Sequence, residues 1–265
     1  MSTTTQPDSD SPTHFHHRAS NAAGQCQCPI HRERVQGPFT APLGLSFASQ
    51  VSVQEISREE ALEIYREHHS YKQDLPNTNI AHHGLYYQDN LLGAITYRYP
   101  RFSSKYVYFT SNGQIATQAI SERKLTNLPK GVRPAVAEKF PRPEDSNVAY
   151  KEKFSGDAFV TASRICVGVS MPNFASASLA RSQEKFVEDY SDKFQNLQYL
   201  GTFVKSDFEG SMIKALRDKE WTLATLSEPS KPSNRVEQDI NGDFKWVYLN
   251  PVGRIRKQSI LNDFR

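Results

Sequence analysis

Apolar and polar positions first fall into a helical rhythm at Ser57. Ser57 and Glu60 have the spacing of a capping box, and Ile56 stands where a hydrophobic staple belongs. Ala61, Leu62, Ile64 and Tyr65 follow at helical spacing as far as His68. A polar loop over residues 70–79, broken by Pro76, leads to two aromatic and aliphatic runs at 85–87 and 91–97. The short turn Gln88-Asp89-Asn90 joins them, so the pattern predicts a β-hairpin, which Pro100 ends. In residues 101–155, positions 106–110 fit a strand. Pro129, Pro134, Pro141 and Pro143 break up the rest, which predicts a long surface insertion.

Order returns at residues 158–169, a run rich in Val, Ile, Thr and Phe that predicts a central strand. A helix is expected over 176–190, with Leu179, Phe186, Val187 and Tyr190 on one face. Strand, helix and two further strands are expected near 199–204, 209–219, 221–226 and 244–249. The alternation in the second half predicts an α/β fold with a mixed, partly parallel sheet flanked by helices. Residues 1–45 carry Ser, Thr, Pro, Gln and His with no period. Such a segment buries too little apolar surface to offset its ordering entropy, and it is expected to be a disordered arm before one domain at 46–265.

Composition narrows the function classes. No run approaches the roughly 18 apolar residues of a membrane helix, so no membrane span is expected. The three cysteines, Cys26, Cys28 and Cys166, cannot build a disulfide framework, and their odd count favours a reducing, cytoplasmic setting. A net charge of +3 permits a polyanionic partner without requiring one. Cys26, Cys28 and His31 have zinc-type donors, but their spacing matches no standard finger and no second pair follows. They are read as part of a polar tail.

The joint between the 158–169 strand and the 176–190 helix carries the most chemistry. A helix N-terminus offers unpaired N–H groups to a pyrophosphate, and Ala175, Ser176, Ala177 and Ser178 let a ligand come close. The same small residues also suit plain packing against a sheet. Ser176 or Ser178 fits an N-cap. Arg164, in mid-strand, needs a partner: a carboxylate such as Asp207, or an anion in a cleft. Asp207, at a strand end, fits either a helix cap or a group that orients an amine. His68 and His69 end the first helix, where its dipole favours an imidazolium. With Tyr71 they also suit a base, a stacking platform or a metal site. Cys166 reads as a small core residue, and His82 and His83 as surface residues. Arg254, Arg256, Lys257 and Arg265 lie near Trp246 and Tyr248, a mixture that suits a nucleic-acid backbone and a base face as well as a solvated tail.

Taken in order, hairpin, strand, loop, helix, strand, helix and strand resemble the GNAT acyltransferase fold. The glycine-rich turn of that family is replaced here by Met171-Pro-Asn-Phe-Ala-Ser-Ala-Ser178. Within that fold the chain resembles the phage DNA-modification family Mom. The matching segments are His68-His69-Ser70-Tyr71, Leu91-Leu92-Gly93-Ala94-Ile95, Ser163-Arg164-Ile165, and Asn173 with Ser176 and Ser178. Further along they are Ser206-Asp207 with Gly210, Trp221, Lys245-Trp-Val-Tyr248 and Gly253-Arg-Ile-Arg-Lys257. Ile213 stands where that family has a tyrosine, a role left to Tyr199 or Tyr248.

The resemblance implies an acyltransferase that adds a small acyl or carbamoylmethyl-type group to the N6 amine of adenine in DNA. Its donor would be acetyl-CoA or another activated acyl group, with or without a metal. It places Asp207, His69, Tyr71 and Arg164 in catalysis, and Val167, Val169, Asn173, Ser176, Ala177 and Ser178 beside the donor. His68, Ser70, Tyr248 and Arg254 would lie beside the substrate. Two other readings stay open: an N-acetyltransferase acting on a protein or small-molecule amine, and a non-catalytic nucleic-acid-binding protein.

Overall fold

The computed structural model describes residues 50–69, 74–75, 77–87, 89–168, 173–190, 192–206, 211–228 and 244–263. The expected N-terminal arm, with Cys26, Cys28 and His31, lies outside these residues, as do Ser70, Tyr71, Val169 and Asp207.

Helix α1 (Arg58–His68) begins as its sequence predicts. The Glu60 amide donates to Ser57 Oγ at 3.1 Å, and the Ser57 amide donates back to the Glu60 carboxylate at 2.8 Å. The predicted hairpin forms from β2 (Asn79–Tyr87) and β3 (Asn90–Arg98). An unexpected strand, β1 (Val51–Glu55), pairs antiparallel with β2 on the outside. The central strand is β6 (Phe159–Val167), followed by α4 (Phe174–Tyr190), β7 (Tyr199–Lys205), α5 (Ser211–Asp218), β8 (Thr222–Ser227) and β9 (Lys245–Pro251). Residues 252–263, whose basic groups fit either a nucleic-acid face or a solvated tail, form helix α6 (Val252–Asp263).

Seven strands make one sheet in the order β1-β2-β3-β6-β7-β9-β8. Every neighbouring pair is antiparallel except β6–β7, so the expected mixed sheet flanked by helices is the architecture observed. Helix α1 covers one face of its first half, where Ala61, Ile64 and Tyr65 meet Ala94 and Cys166. The opposite face buries α4 and α5 through Leu179, Phe186 and Leu216, together with Ile95, Tyr97, Leu200 and Trp246.

Residues 101–155 are a structural strap around the sheet, which corrects the expectation of a surface insertion. Strands β4 (Ser104–Phe109) and β5 (Tyr150–Ser155) form a separate two-stranded ribbon. Its Val107, Phe109 and Phe154 pack on Phe159, Tyr199, Val247 and Leu249. The chain then runs along the edge strand β8, where the Gln118 amide donates to the Ala224 carbonyl at 2.8 Å and Thr117 Oγ1 to the Leu223 carbonyl at 2.7 Å. Occupying an edge strand in this way removes a template for aggregation. Helices α2 (Glu122–Thr126) and α3 (Arg133–Lys139) follow and add Leu128, Val132, Val136 and Phe140 to the main core, with Phe140 5.6 Å from the Trp246 ring. The prolines set the strap's turns without keeping it at the surface.

Candidate functional site

The parallel pair β6–β7 is short. Phe159 to Ala162 face Tyr199 to Thr202, and the register stops there. Beyond it β6 runs on to Val167 beside β3, while β7 runs on to Lys205 beside β9, so the two strands part in the middle of the sheet. The cause lies in the β3–β6 register: Tyr97 faces Ala162 and Thr96 faces Arg164, leaving Ser163 as an extra residue. An extra residue of this kind bends its strand and raises its twist, here at the last paired position. The point of parting is pinned from both sides. Thr202 Oγ1 donates to the Ala162 carbonyl at 2.9 Å, and Ser163 Oγ to the Thr96 carbonyl at 3.2 Å.

Helix α4 starts just past the open end of β6. Asn173, immediately before it, has a left-handed backbone with φ of 63°, and its carbonyl accepts from the Ala177 amide at 2.9 Å and from Ser176 Oγ at 3.1 Å. The helix therefore begins two residues earlier than its small-residue run suggested, and Ser176 sits inside the first turn rather than at the cap. Ala175 and Ser176 are half-buried and approachable. Ser178 was expected beside a donor, but it is fully buried, and its Oγ has no hydrogen-bond partner among the described residues. Val167 is half-buried at the end of β6.

On the α1 side of the opening, Arg164 is the first residue past the bulge. Its Nη1 donates to the Ser163 carbonyl at 2.8 Å, and its Nη2 lies 3.8 Å from the Asp74 carboxylate. The arginine side chain is 12% exposed and the aspartate 87%, so this carboxylate is largely solvated and compensates the guanidinium poorly. Arg98 is also buried, and its Nε donates to the Tyr99 carbonyl at 3.3 Å. Burial first, then the charges of Arg101 and Arg164, hold the Arg98 pKa below its ordinary value. Lys105 reaches over from β4, with Nζ 5.6 Å from the ring of Phe203, the first β7 residue past the last paired position, and 5.5 Å from Phe102. Burial pushes its amine down to about 8. The sequence pattern did not single out Lys105, Arg98 or Arg101; the one available signal was a basic residue amid Phe and Tyr in a strand-like run.

The two expected histidines both lie near this end of the sheet. His68, buried, packs so closely on Gly168 that a Cβ there would come within 2.7 Å of the imidazole. His69 is buried edge-on against Tyr65 at 5.8 Å. Three other expectations change. Tyr248 is a core residue of β9, 4% exposed. Arg254 is engaged by the turn after α5, donating to the Glu220 carbonyl at 2.9 Å and lying 3.5 Å from its carboxylate. His83, expected at the surface, is fully buried, because its position on β2 faces α4. Its Nδ1 lies 2.9 Å from Ser182 Oγ, and burial lowers its pKa to about 4. Its neighbour His82 is partly buried, with Nδ1 2.9 Å from Thr96 Oγ1. Cys166 is a free, buried core residue, as expected.

No family profile and no curated protein matches the sequence. Solved structures that align with this one include a mutant of the AtaT toxin, at 11% identity and a TM-score of 0.40, covering 82% of this chain and 99% of that one. Another is the ribosomal-protein-S18-alanine N-acetyltransferase from Escherichia coli, at 9% identity and a TM-score of 0.37, covering 76% and 94%. A third is a GNAT family acetyltransferase from Elizabethkingia anophelis with acetyl-CoA bound, at 7% identity and a TM-score of 0.36, covering 76% and 98%. Among the described residues no helix is long and apolar enough to cross a membrane, and no group of three or more His, Cys, Asp or Glu is placed to hold a metal ion.

Proposed function

We propose that this protein is an N-acyltransferase that works at the opening between β6 and β7, and that its acceptor is the exocyclic amine of adenine in DNA. The observation that carries the reading is the parting of the two parallel strands at a bulge, directly before the N-terminus of a 17-residue helix. Parted strands leave backbone groups of Ser163 to Val167 without a β7 partner, so an extended, amide-bearing chain can lie between them. The first amides of α4 then face the anionic end of such a chain. An acyl-CoA fits both features, and Asn173, Ser176 and Ala177 are the residues that hold its diphosphate. The small side chains of Ala175 and Ser176 leave the amides ahead of Ala177 accessible, while the Ala177 amide is held by the Asn173 carbonyl.

When bound, the thioester supplies an activated carbonyl: the amine nitrogen bonds to the acyl carbon, the carbon–sulfur bond breaks, and the thiolate leaves. The chain's own residues orient the amine and take its proton. Lys105, with its amine lowered to about 8 by burial, lies beside the opening and becomes able to take up a proton as pH approaches 8. Asp207, His69 and Tyr71 complete the acceptor side in this reading. Arg164 and Arg98 hold an anionic group of the acceptor, as two nearly buried guanidinium groups with no equally buried carboxylate among the described residues would. DNA as that acceptor draws support from these cations and from the order of Mom-like segments.

Two measurements test the reading. Acetyl-CoA is expected to raise the melting temperature of the purified chain. Mass spectrometry of nucleosides from cells expressing it is expected to find an acylated adenine. A folded, abundant protein that binds acetyl-CoA and leaves DNA unmodified transfers to a protein or small-molecule amine instead; one that also ignores every acyl-CoA is not an acyltransferase.

A further inference from the structure

We infer that the outer face of the β4–β5 ribbon is a docking surface for single-stranded nucleic acid. In an antiparallel pair, residues directly opposite each other share a face. Val107, Phe109 and Phe154 mark the face turned toward the sheet. The remaining register positions, Tyr106 opposite Lys153 and Tyr108 opposite Lys151, therefore point away from it. Tyr106 is 48% exposed, Lys151 and Lys153 are exposed, and Tyr108 is half-buried. The ammonium of Lys151 lies 5.1 Å from the centre of the Tyr106 ring.

With Ser104 opposite Ser155 at its end, this face sets two tyrosines against two lysines, and the nearest acid, Asp157, is held by Ser155 Oγ and by Asn196. The ribbon's one carboxylate, Glu152, stands opposite Val107 and so belongs to the other face. The chemistry of the tyrosines and lysines matches bases that stack and phosphates that pair with ammonium groups. An acidic peptide would satisfy the lysines but leave the tyrosine ring without a flat partner, which favours nucleic acid. The ribbon also leads to the opening, because Lys105 leaves the same strand on its inner side and reaches Phe203. A strand lying on the ribbon would thus be held by the same strand that carries Lys105 to the opening. This docking surface rests on the reading of DNA as the acceptor, and it adds the surface that captures it.

The test is titration of the full-length protein into a fluorescent single-stranded DNA oligonucleotide at a series of salt concentrations. K151E/K153E is expected to weaken binding more than tenfold and to lower the slope of log affinity against log salt by roughly 1.4, at about 0.7 per phosphate contact. Tyr106→Ala is expected to weaken binding about tenfold through lost stacking with the slope unchanged. These side chains are exposed, so the variants should melt with the wild type, and acetyl-CoA should shift all of them equally. Wild-type affinity in both variants overturns the ribbon proposal while leaving the acyltransferase reading intact. Tight ribbon-dependent binding without any adenine modification upholds the ribbon and removes the acceptor chemistry. Self-association lost in the variants, with no DNA binding, would make this face an interface between copies and overturn the proposal.

Discussion

Strands β6 and β7 lie side by side for four residues each and then separate, and the two stretches differ in chemistry as much as in geometry. Where the strands pair, Phe159 and Tyr199 stack at 5.3 Å, with Phe154 5.2 Å from Tyr199 and Phe102 5.2 Å from Phe159. Where they part, Arg164, Lys105 and the nearby Arg98 bring cations to the same face, and among the described residues the exposed Asp74 is the carboxylate paired with Arg164. An aromatic cluster satisfies itself by packing. A cluster of desolvated cations costs free energy until an anion arrives. The closed stretch therefore sustains the fold, and the open one is suited to a ligand.

The largest expected effect comes from breaking the closed stretch. Phe159 is 2% exposed at the centre of its aromatic cluster. Phe159→Ala should cost about 3–5 kcal/mol, through lost transfer free energy and the cavity left behind. Chemical denaturation reads this directly; a loss below about 1 kcal/mol would show that the strands are held together elsewhere.

A second expected effect concerns a base on the face of the sheet that α4 covers. His83 has a pKa of about 4 against an ordinary 6.5, so the fold holds it neutral. Above pH 6.5 neither folded nor unfolded chain protonates it, and its burial costs nothing extra. As pH falls from 6.5 to 4, the unfolded chain binds a proton that the fold refuses, and stability declines by about 3 kcal/mol in total. Below pH 4 the contribution is flat. His83→Gln should remove this slope; identical pH–stability curves for the variant and the wild type would mean that His83 is solvated.

Third in size is a change in the open stretch that should spare the fold. Arg164→Ala is expected to lower acyl transfer about 100-fold, the cost of a misplaced acceptor, while the melting temperature stays close to that of the wild type. Unfolding of this variant would instead assign Arg164 to the structural core.

The two stretches were not equally legible in the sequence. The closed one announces itself, because a run of Phe, Val, Thr and Ala at 159–162 reads as a buried strand, and α1 is marked by its capping box. The open one depends on a register that no local pattern carries. Ser163 is the extra residue only because of how β6 lies against β3, and Arg164 gains its surroundings from that slip. The strap is hidden in the sequence for a related reason. Its prolines describe the turns correctly, but the apolar residues between them, Leu128, Val132, Val136 and Phe140, meet the core only through distant strands. His83 shows the limit from the other side: a histidine before a strand looks like surface until a helix 99 positions later places Ser182 on it.

The smallest expected effect tests whether charge at the opening is a burden on the fold. Lys105 has a pKa of about 8, against an ordinary 10.5, because burial disfavours its ammonium form. Below pH 8 both folded and unfolded chains carry the charge, and the fold bears the full cost of holding it near Phe102 and Phe203. Between pH 8 and 10.5 the folded chain sheds the proton while the unfolded chain keeps it. That loss of charge relieves the cost, so wild-type stability rises with pH through this window. Lys105→Met keeps the length of the side chain and removes the charge. It should be more stable than the wild type by about 1 kcal/mol at neutral pH, once partial exposure is allowed for. The advantage should shrink as pH approaches 10.5, and acyl transfer should fall at every pH. A variant that is more stable but transfers normally would leave Lys105 no role in proton uptake. One that is less stable at neutral pH would mean that the ammonium is held by its two rings more strongly than burial opposes it.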